Sequence, residues 1–115
     1  MERLTREEFV ERFPLVVPAH TVRGVMKDAV VIDRDSAFAG IVEGDLVLRS
    51  GAKALGHGIV TGNLTVERGA VLYYDGIVKG TLHVSGAACV SGIFDSLHID
   101  DDASVSIDAE AKINA

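Results

Sequence analysis

Tryptophan is absent, cysteine occurs once, proline twice, and four phenylalanines and two tyrosines are the only large aromatic rings. Each shortage narrows the field. With hydrophobic residues at 48% and so few aromatics, a core must be built from Val, Ile, Leu, Ala and Gly. Such a core favours thin, repetitive strands over a bulky helical bundle. A lone Cys89 excludes an intrachain disulfide and fits a reducing compartment. The opening MERLTREEFVERF is charged and has no apolar h-region, so no secretory signal is expected. No apolar run reaches membrane-spanning length. The expectation is a soluble, cytoplasmic, single-domain protein.

Basic residues are also scarce. The net charge is −6, and from Asp95 onward six acids face Lys112 alone. Nucleic acid needs a basic surface, which argues against it as a partner. An acidic segment suits a basic protein partner, or simply a solvated terminus.

What the chain does have is one phrase repeated. GIVEGDLVL (40–48), GIVTGNLTV (58–66) and GIVKGTLHV (76–84) recur with a period of 18. Fixed-period self-similarity marks a solenoid. The period divides into hexads whose second places are Val42, Leu48, Ala54, Val60, Val66, Leu72, Val78, Val84 and Val90, all apolar. Sixth places are mostly Leu, Ala or Gly, and glycines recur at fourth places. Strands alternate sides, so second and sixth places share one side of each short strand. Three short strands per turn, stacked every 18 residues, predict a triangular, single-stranded parallel β-helix. The expected inward columns are Val42, Val60 and Val78; Leu46, Leu64 and Leu82; and Ala52, Ala70 and Ala88. One rung cannot bury its own face, but several stacked rungs can, which is the physical reason for the repetition.

The copying loosens toward both ends. VRGVM (22–26) resembles VEGDL (42–46) at a distance of 20, GIFDSLHI (92–99) resembles GIVKGTLHV with one residue missing, and SIDAEAKI (106–113) resembles GIFDSLHI at a distance of 14. About five rungs are expected. Residues 1–14 differ from the rest: Thr5 with Glu8 forms a capping box, Leu4 with Phe9 has hydrophobic-staple spacing, and Pro14 stops the helix. The predicted organisation is a capping helix (1–14) over the first rung of a β-helix domain (15–115), shielding an edge that would otherwise pair with other chains.

The string GIVEGDLVL…GIVTGNLTVERGAV…GIVKGTLHVSG, over residues 40–92, resembles the bactofilin family of polymer-forming bacterial cytoskeletal proteins. The shared pattern is Gly-x-Val-x-Gly-x-Leu-x-Val with GA between phrases. The resemblance implies a β-helix core of this size, no catalytic residues, no nucleotide, and filaments made by joining core ends. The helical N-terminal flank and acidic C-terminal repeat depart from the disordered tails of that family.

No residue is assigned a catalytic, cofactor-binding or metal-binding role. P-loop and dinucleotide fingerprints are missing, and His20, His57, His83 and His98 read as surface residues without a base-and-orienter arrangement. DDD at 100–102 reads as an exposed turn, and Cys89 as a partly buried structural thiol. The outward columns say more. Asp45, Asn63 and Thr81 are polar, as a solvated column should be. Ile41, Ile59 and Ile77 are not, and Val71 with Leu55, Tyr73 and Tyr74 forms a second apolar edge. Either marks a protein-contact surface, or a place where the first helix or the segment FPLVVPAH lies across the solenoid. The edge with the tyrosines is the preferred contact surface, with Tyr73 outward and dispensable for folding. The functional expectation is a non-catalytic scaffold acting through protein contacts, either with copies of itself as a bactofilin-like structural protein or with a foreign protein, as an immunity protein neutralising a basic toxin would. A third reading is a hexapeptide-type acyltransferase, which has a similar hexad pattern but needs a positioned histidine.

Overall fold

A computed structural model describes residues 1–14, 20–108 and 111–113. Its elements are β1 (Glu2–Arg3), α1 (Arg6–Arg12), β2 (His20–Met26), β3 (Val30–Ile32), β4 (Ser36–Val42), β5 (Leu46–Leu48), β6 (Lys53–Val60), β7 (Leu64–Val66), β8 (Val71–Val84), β9 (Ala87–Ile99), β10 (Ser104–Ile107) and β11 (Lys112–Ile113). Every strand pairing is parallel, and the main path runs β1-β10-β9-β8-β6-β4-β2. The result is the triangular β-solenoid of about five turns that the repeat predicts. No described helix is long and apolar enough to cross a membrane.

Each turn has three faces. The first face contains residues 36–39, 54–57, 72–75, 88–91 and 104–107; the second contains 41–42, 59–60, 77–78, 93–94 and 112–113. The third contains 30–32, 46–48, 64–66, 82–84 and 97–99. The predicted columns Val42–Val60–Val78 and Leu46–Leu64–Leu82 are in register, and all six side chains are buried. At ~1.5–3 kcal/mol for each fully buried aliphatic side chain, these columns hold the rungs together.

Glycine sets the corner between the first and second faces. Gly24, Gly40, Gly58, Gly76 and Gly92 stack there, all with positive φ. A Cβ on Gly58 would sit 1.9 Å from the Gly40 carbonyl oxygen, and one on Gly76 2.0 Å from that of Gly58. From Gly40 onward, any side chain at this corner would collide with the rung before it, whereas a Cβ on Gly24, in the first rung, meets nothing within 4 Å. The corner between the second and third faces works differently. Asn63 N–H donates to Asp45 Oδ1 (2.8 Å), and Thr81 N–H donates to Asn63 Oδ1 (2.8 Å). The polar column Asp45, Asn63, Thr81 is thus a hydrogen-bonded ladder as well as a solvated one.

Rung length departs from 18 outside the three phrases. His20 pairs with Ser36 and Met26 with Val42, so the first rung aligns at 16 residues and not at 20. Between Val84 and Ala87 the corner shrinks to Ser85–Gly86, where the preceding rung has residues 67–70. Ala88 therefore stacks on Leu72, which corrects the column Ala52–Ala70–Ala88. Gly86 takes the space next to Ala70, whose carbonyl oxygen a Cβ would meet at 2.5 Å. The missing residue in GIFDSLHI is confirmed, with Val78 opposite Phe94 and Thr81 opposite Ser96. SIDAEAKI does not align at 14: Ile107 pairs with Val90 and Ile113 with Phe94.

The N-terminal helix forms as predicted. Glu8 N–H donates to Thr5 Oγ1 (3.1 Å), and Thr5 N–H donates to Glu8 Oε1 (3.0 Å). Its position is different. β1 pairs with β10, placing Glu2 opposite Ser104 and Arg3 opposite Val105, on the last rung and not the first. Leu4 N–H donates to the Val105 carbonyl (2.7 Å). The segment covers a strand edge, as expected, but at the opposite end of the solenoid.

Gly58→Ala is expected to lose far more thermal stability than Gly51→Ala. Gly51 also has positive φ (88°), but a Cβ there meets nothing within 4 Å, so only the ~1–2 kcal/mol conformational cost applies. At Gly58 the collision comes on top of it, and a total loss above about 4 kcal/mol is expected. Equal losses by thermal melting would remove close rung approach as the reason for the column.

Candidate functional site

The three faces differ outside far more than inside. On the first face, α1 lies across the later rungs. Phe9 is fully buried with Leu4, Val71, Ala87 and Cys89, and Phe13 and Tyr73 pack against this cluster. The Phe9 and Tyr73 rings meet edge-on at 5.3 Å, and the Tyr73 hydroxyl donates to the Phe13 carbonyl. Tyr73 is therefore part of the helix-docking site, which corrects its reading as an outward, dispensable anchor. Tyr74 is not on the outside at all. It lies in the core at 3% exposure, its hydroxyl 2.9 Å from the Gly58 carbonyl oxygen and 3.0 Å from that of Ile77. Room for its ring comes from Gly56 on the rung before, where a Cβ would lie 2.6 Å from Tyr74 Cδ1. Val71 is under the helix, and Leu55, half-buried like Tyr73, lines a shallow groove of about 360 Å³ bordered by Arg6, Ala37, Gly56 and His57. The preferred contact edge is thus largely covered by the chain's own N-terminal segment. Of FPLVVPAH, residues 15–19 lie outside the described residues.

Cys89 is buried at 4% exposure, with Arg6 Nη1 3.7 Å from its sulfur. Burial pushes its pKa up, partly opposed by the Arg6 charge. The thiol therefore stays protonated and poorly nucleophilic while α1 is docked.

The second face keeps its apolar stripe. Val25, Ile41, Ile59, Ile77 and Ile93 are in register across successive rungs. Val25 is 56% and Ile93 41% exposed, while the three between are half-buried by their neighbours above and below. None of the five belongs to either buried cluster. Two residues beyond each of these in the chain, at the edge of the face, stand Lys27, Glu43, Thr61, Lys79 and Asp95, all exposed. Read from first rung to last, the charges run plus, minus, neutral, plus, minus.

The third face carries polar chemistry that the sequence reading passed over. His83 pairs with His98 on the next rung, and their rings meet edge-on at 4.7 Å. His83 Nε2 lies 2.9 Å and His98 Nε2 3.3 Å from Asp100 Oδ1. Ser85 Oγ donates to the other carboxylate oxygen, Oδ2, at 2.5 Å. Hydrogen bonds from Ser85 and then His83 hold the Asp100 carboxyl below the usual carboxylate range. His83, His98 and Asp100 offer three donor atoms all within 4.8 Å of one another, the one such group among the described residues. The signal was present in the equivalent dipeptides Leu82–His83 and Leu97–His98, which rung alignment stacks. It was missed because 83 and 100 are a rung apart in sequence. The carboxylate sits between serine and histidine, so no Ser–His hydrogen bond of the nucleophilic kind is formed.

Comparison with protein-family models, curated proteins and solved structures returned no match.

Truncation of the helix anchor tests the first-face assignment. Phe9→Ala should cost ~3–5 kcal/mol at a fully buried ring, and thiol labelling of Cys89 under native conditions should accelerate. Val10→Ala, at an exposed position on the same helix, should alter neither. Unchanged labelling of Cys89 in Phe9→Ala would show that α1 does not protect this face.

Proposed function

We propose that this chain is a non-catalytic β-helix scaffold, working in a reducing, cytoplasmic compartment, that associates with a second copy of itself through the second face. The observation that carries the reading is the stripe Val25–Ile41–Ile59–Ile77–Ile93 with its antisymmetric charged border. Consider two copies related by a two-fold axis lying along the strands at the level of Ile59. Ile41 then meets Ile77 of the second copy, and Val25 meets Ile93. Along the border Lys27 faces Asp95, and Glu43 faces Lys79. The other border, Arg23, Ala39, His57, Asp75 and Ser91, brings no like charges together in that arrangement. A self-complementary patch of this kind defines an isologous contact, in which apolar packing supplies affinity and border charges fix register.

The resemblance of residues 40–92 to bactofilins supports a self-associating structural role. Filaments in that family join core ends, whereas here β1 occupies the β10 edge at one end. That occupancy favours the side face as the place of self-contact. An unpaired, buried Cys89 suits the reducing compartment.

The reading predicts concentration-dependent association in sedimentation velocity. Ile59→Glu should weaken it by roughly 2 kcal/mol or more, about thirtyfold, with little change in melting temperature because the side chain points outward. Glu43→Lys or Lys79→Glu alone should weaken it, and the double variant should restore it. A wild-type chain that stays monomeric at all concentrations would overturn the proposal and return the molecule to the reading of a standalone binder of another protein.

A further inference from the structure

We propose that His83, His98 and Asp100 form a binding site for a divalent transition ion of the zinc class, clamping the fourth and fifth rungs together. The donor chemistry is the first argument. Two imidazole nitrogens and one carboxylate oxygen are borderline-soft ligands that suit zinc, cobalt or nickel, and a set with two nitrogens is wrong for magnesium or calcium. Geometry is the second. Metal–ligand bonds of ~2.0–2.1 Å at tetrahedral angles put neighbouring donors about 3.3 Å apart. The two Nε2–Oδ1 separations are 2.9 and 3.3 Å, and all three donor atoms lie within 4.8 Å of one another, so an ion can replace the His83–Asp100 hydrogen bond and the His98–Asp100 contact once the imidazoles draw in around it.

The carboxylate is also held in place for the role. Ser85 Oγ takes Oδ2, the Asp100 N–H donates to the Val84 carbonyl (2.9 Å), and Ala103 N–H donates to the Asp100 carbonyl (3.0 Å). This leaves Oδ1 directed at both imidazoles, the kind of outer support that orients metal ligands. The side chains of His83, His98 and Asp100 are 40%, 65% and 35% exposed. An ion can therefore enter from solvent and keep water in its fourth position. His83 belongs to one rung, and His98 and Asp100 to the next, so the ion would bridge consecutive turns where the repeat is losing its regular length.

The test uses the tag-free full chain and measures Zn²⁺ binding by calorimetry, with Co²⁺ absorption as a coordination probe. The expected result is one equivalent of Zn²⁺, a melting temperature that rises with Zn²⁺ but not with Mg²⁺, and intense visible Co²⁺ bands of a four-coordinate site. His98→Ala, at the most exposed ligand, should leave the metal-free fold intact and weaken binding at least ~10-fold. His57→Ala, on a different face, should bind as the wild type does. Equal Zn²⁺ affinity in His98→Ala and wild type would overturn the site, as would no saturable binding. Equal stabilisation by Mg²⁺ would also overturn it, because that would reduce the effect to screening of the acidic corner at Asp100–Asp102.

Discussion

The constraint on which the structure rests is the closeness of one rung to the next. Parallel strands stack ~4.8 Å apart, and at the first corner the backbone has no room for even a methyl group. Gly40, Gly58, Gly76 and Gly92 meet that requirement, and they share with Gly24 the positive φ that turns the chain there. Once that corner is fixed, the first and second faces leave it in register on every rung. Val60 then has no place except between Val42 and Val78, and Leu64 between Leu46 and Leu82. The hydrophobic columns supply most of the stabilisation, but the glycines decide which side chains can share a column.

Much of this was legible because an 18-residue period with two apolar places per hexad has few physical solutions. Val42, Val60 and Val78 announce an inward column through spacing alone. Tyr74 could not be read that way. It sits at a fourth place, where its neighbours in the pattern are glycines, and a glycine at that place can mean a tight corner or space left for a ring. At Gly56 it means the second: the absent side chain makes room for Tyr74. Tyr73 looked like a partner anchor because its column is apolar and outward, which is true. Composition does not say whether an apolar outward column is covered by a foreign chain or by the protein's own helix. Phe9, which lies outside every repeat phrase, decided it. The end of the solenoid on which Glu2–Arg3 pairs was equally illegible, since both end rungs present an unpaired parallel edge.

The three outer faces divide the work that the interior leaves open. The first is occupied by α1, which converts Val71, Tyr73 and Cys89 into a satellite core. The second stays apolar from Val25 to Ile93, ends in the exposed Lys112, and has no described cover. The third stacks His83 on His98 above Asp100. Apolar inward columns serve all three, so the surfaces can differ without disturbing the fold.

The corners explain how such differences accumulate. A one-residue slip within a strand would turn every inward side chain outward, so the faces tolerate no change in length. Corners have no such alternation to preserve. Replacing the four residues 67–70 with Ser85–Gly86 leaves Leu72 opposite Ala88, and removing one residue before Ser96 leaves Leu82 opposite Leu97. Both shortenings fall between faces, and inward residues still meet inward residues on either side. The second of them sits on the approach to His98, and the rung returns to register in time for His98 to stack on His83 and for Asp100 to reach Ser85. A chain that had lost its residue two positions later, within Leu97–Ile99, would have put His98 inside and Leu97 in water. The imidazole–carboxylate cluster therefore exists because the irregularity of the last rungs is confined to their corners.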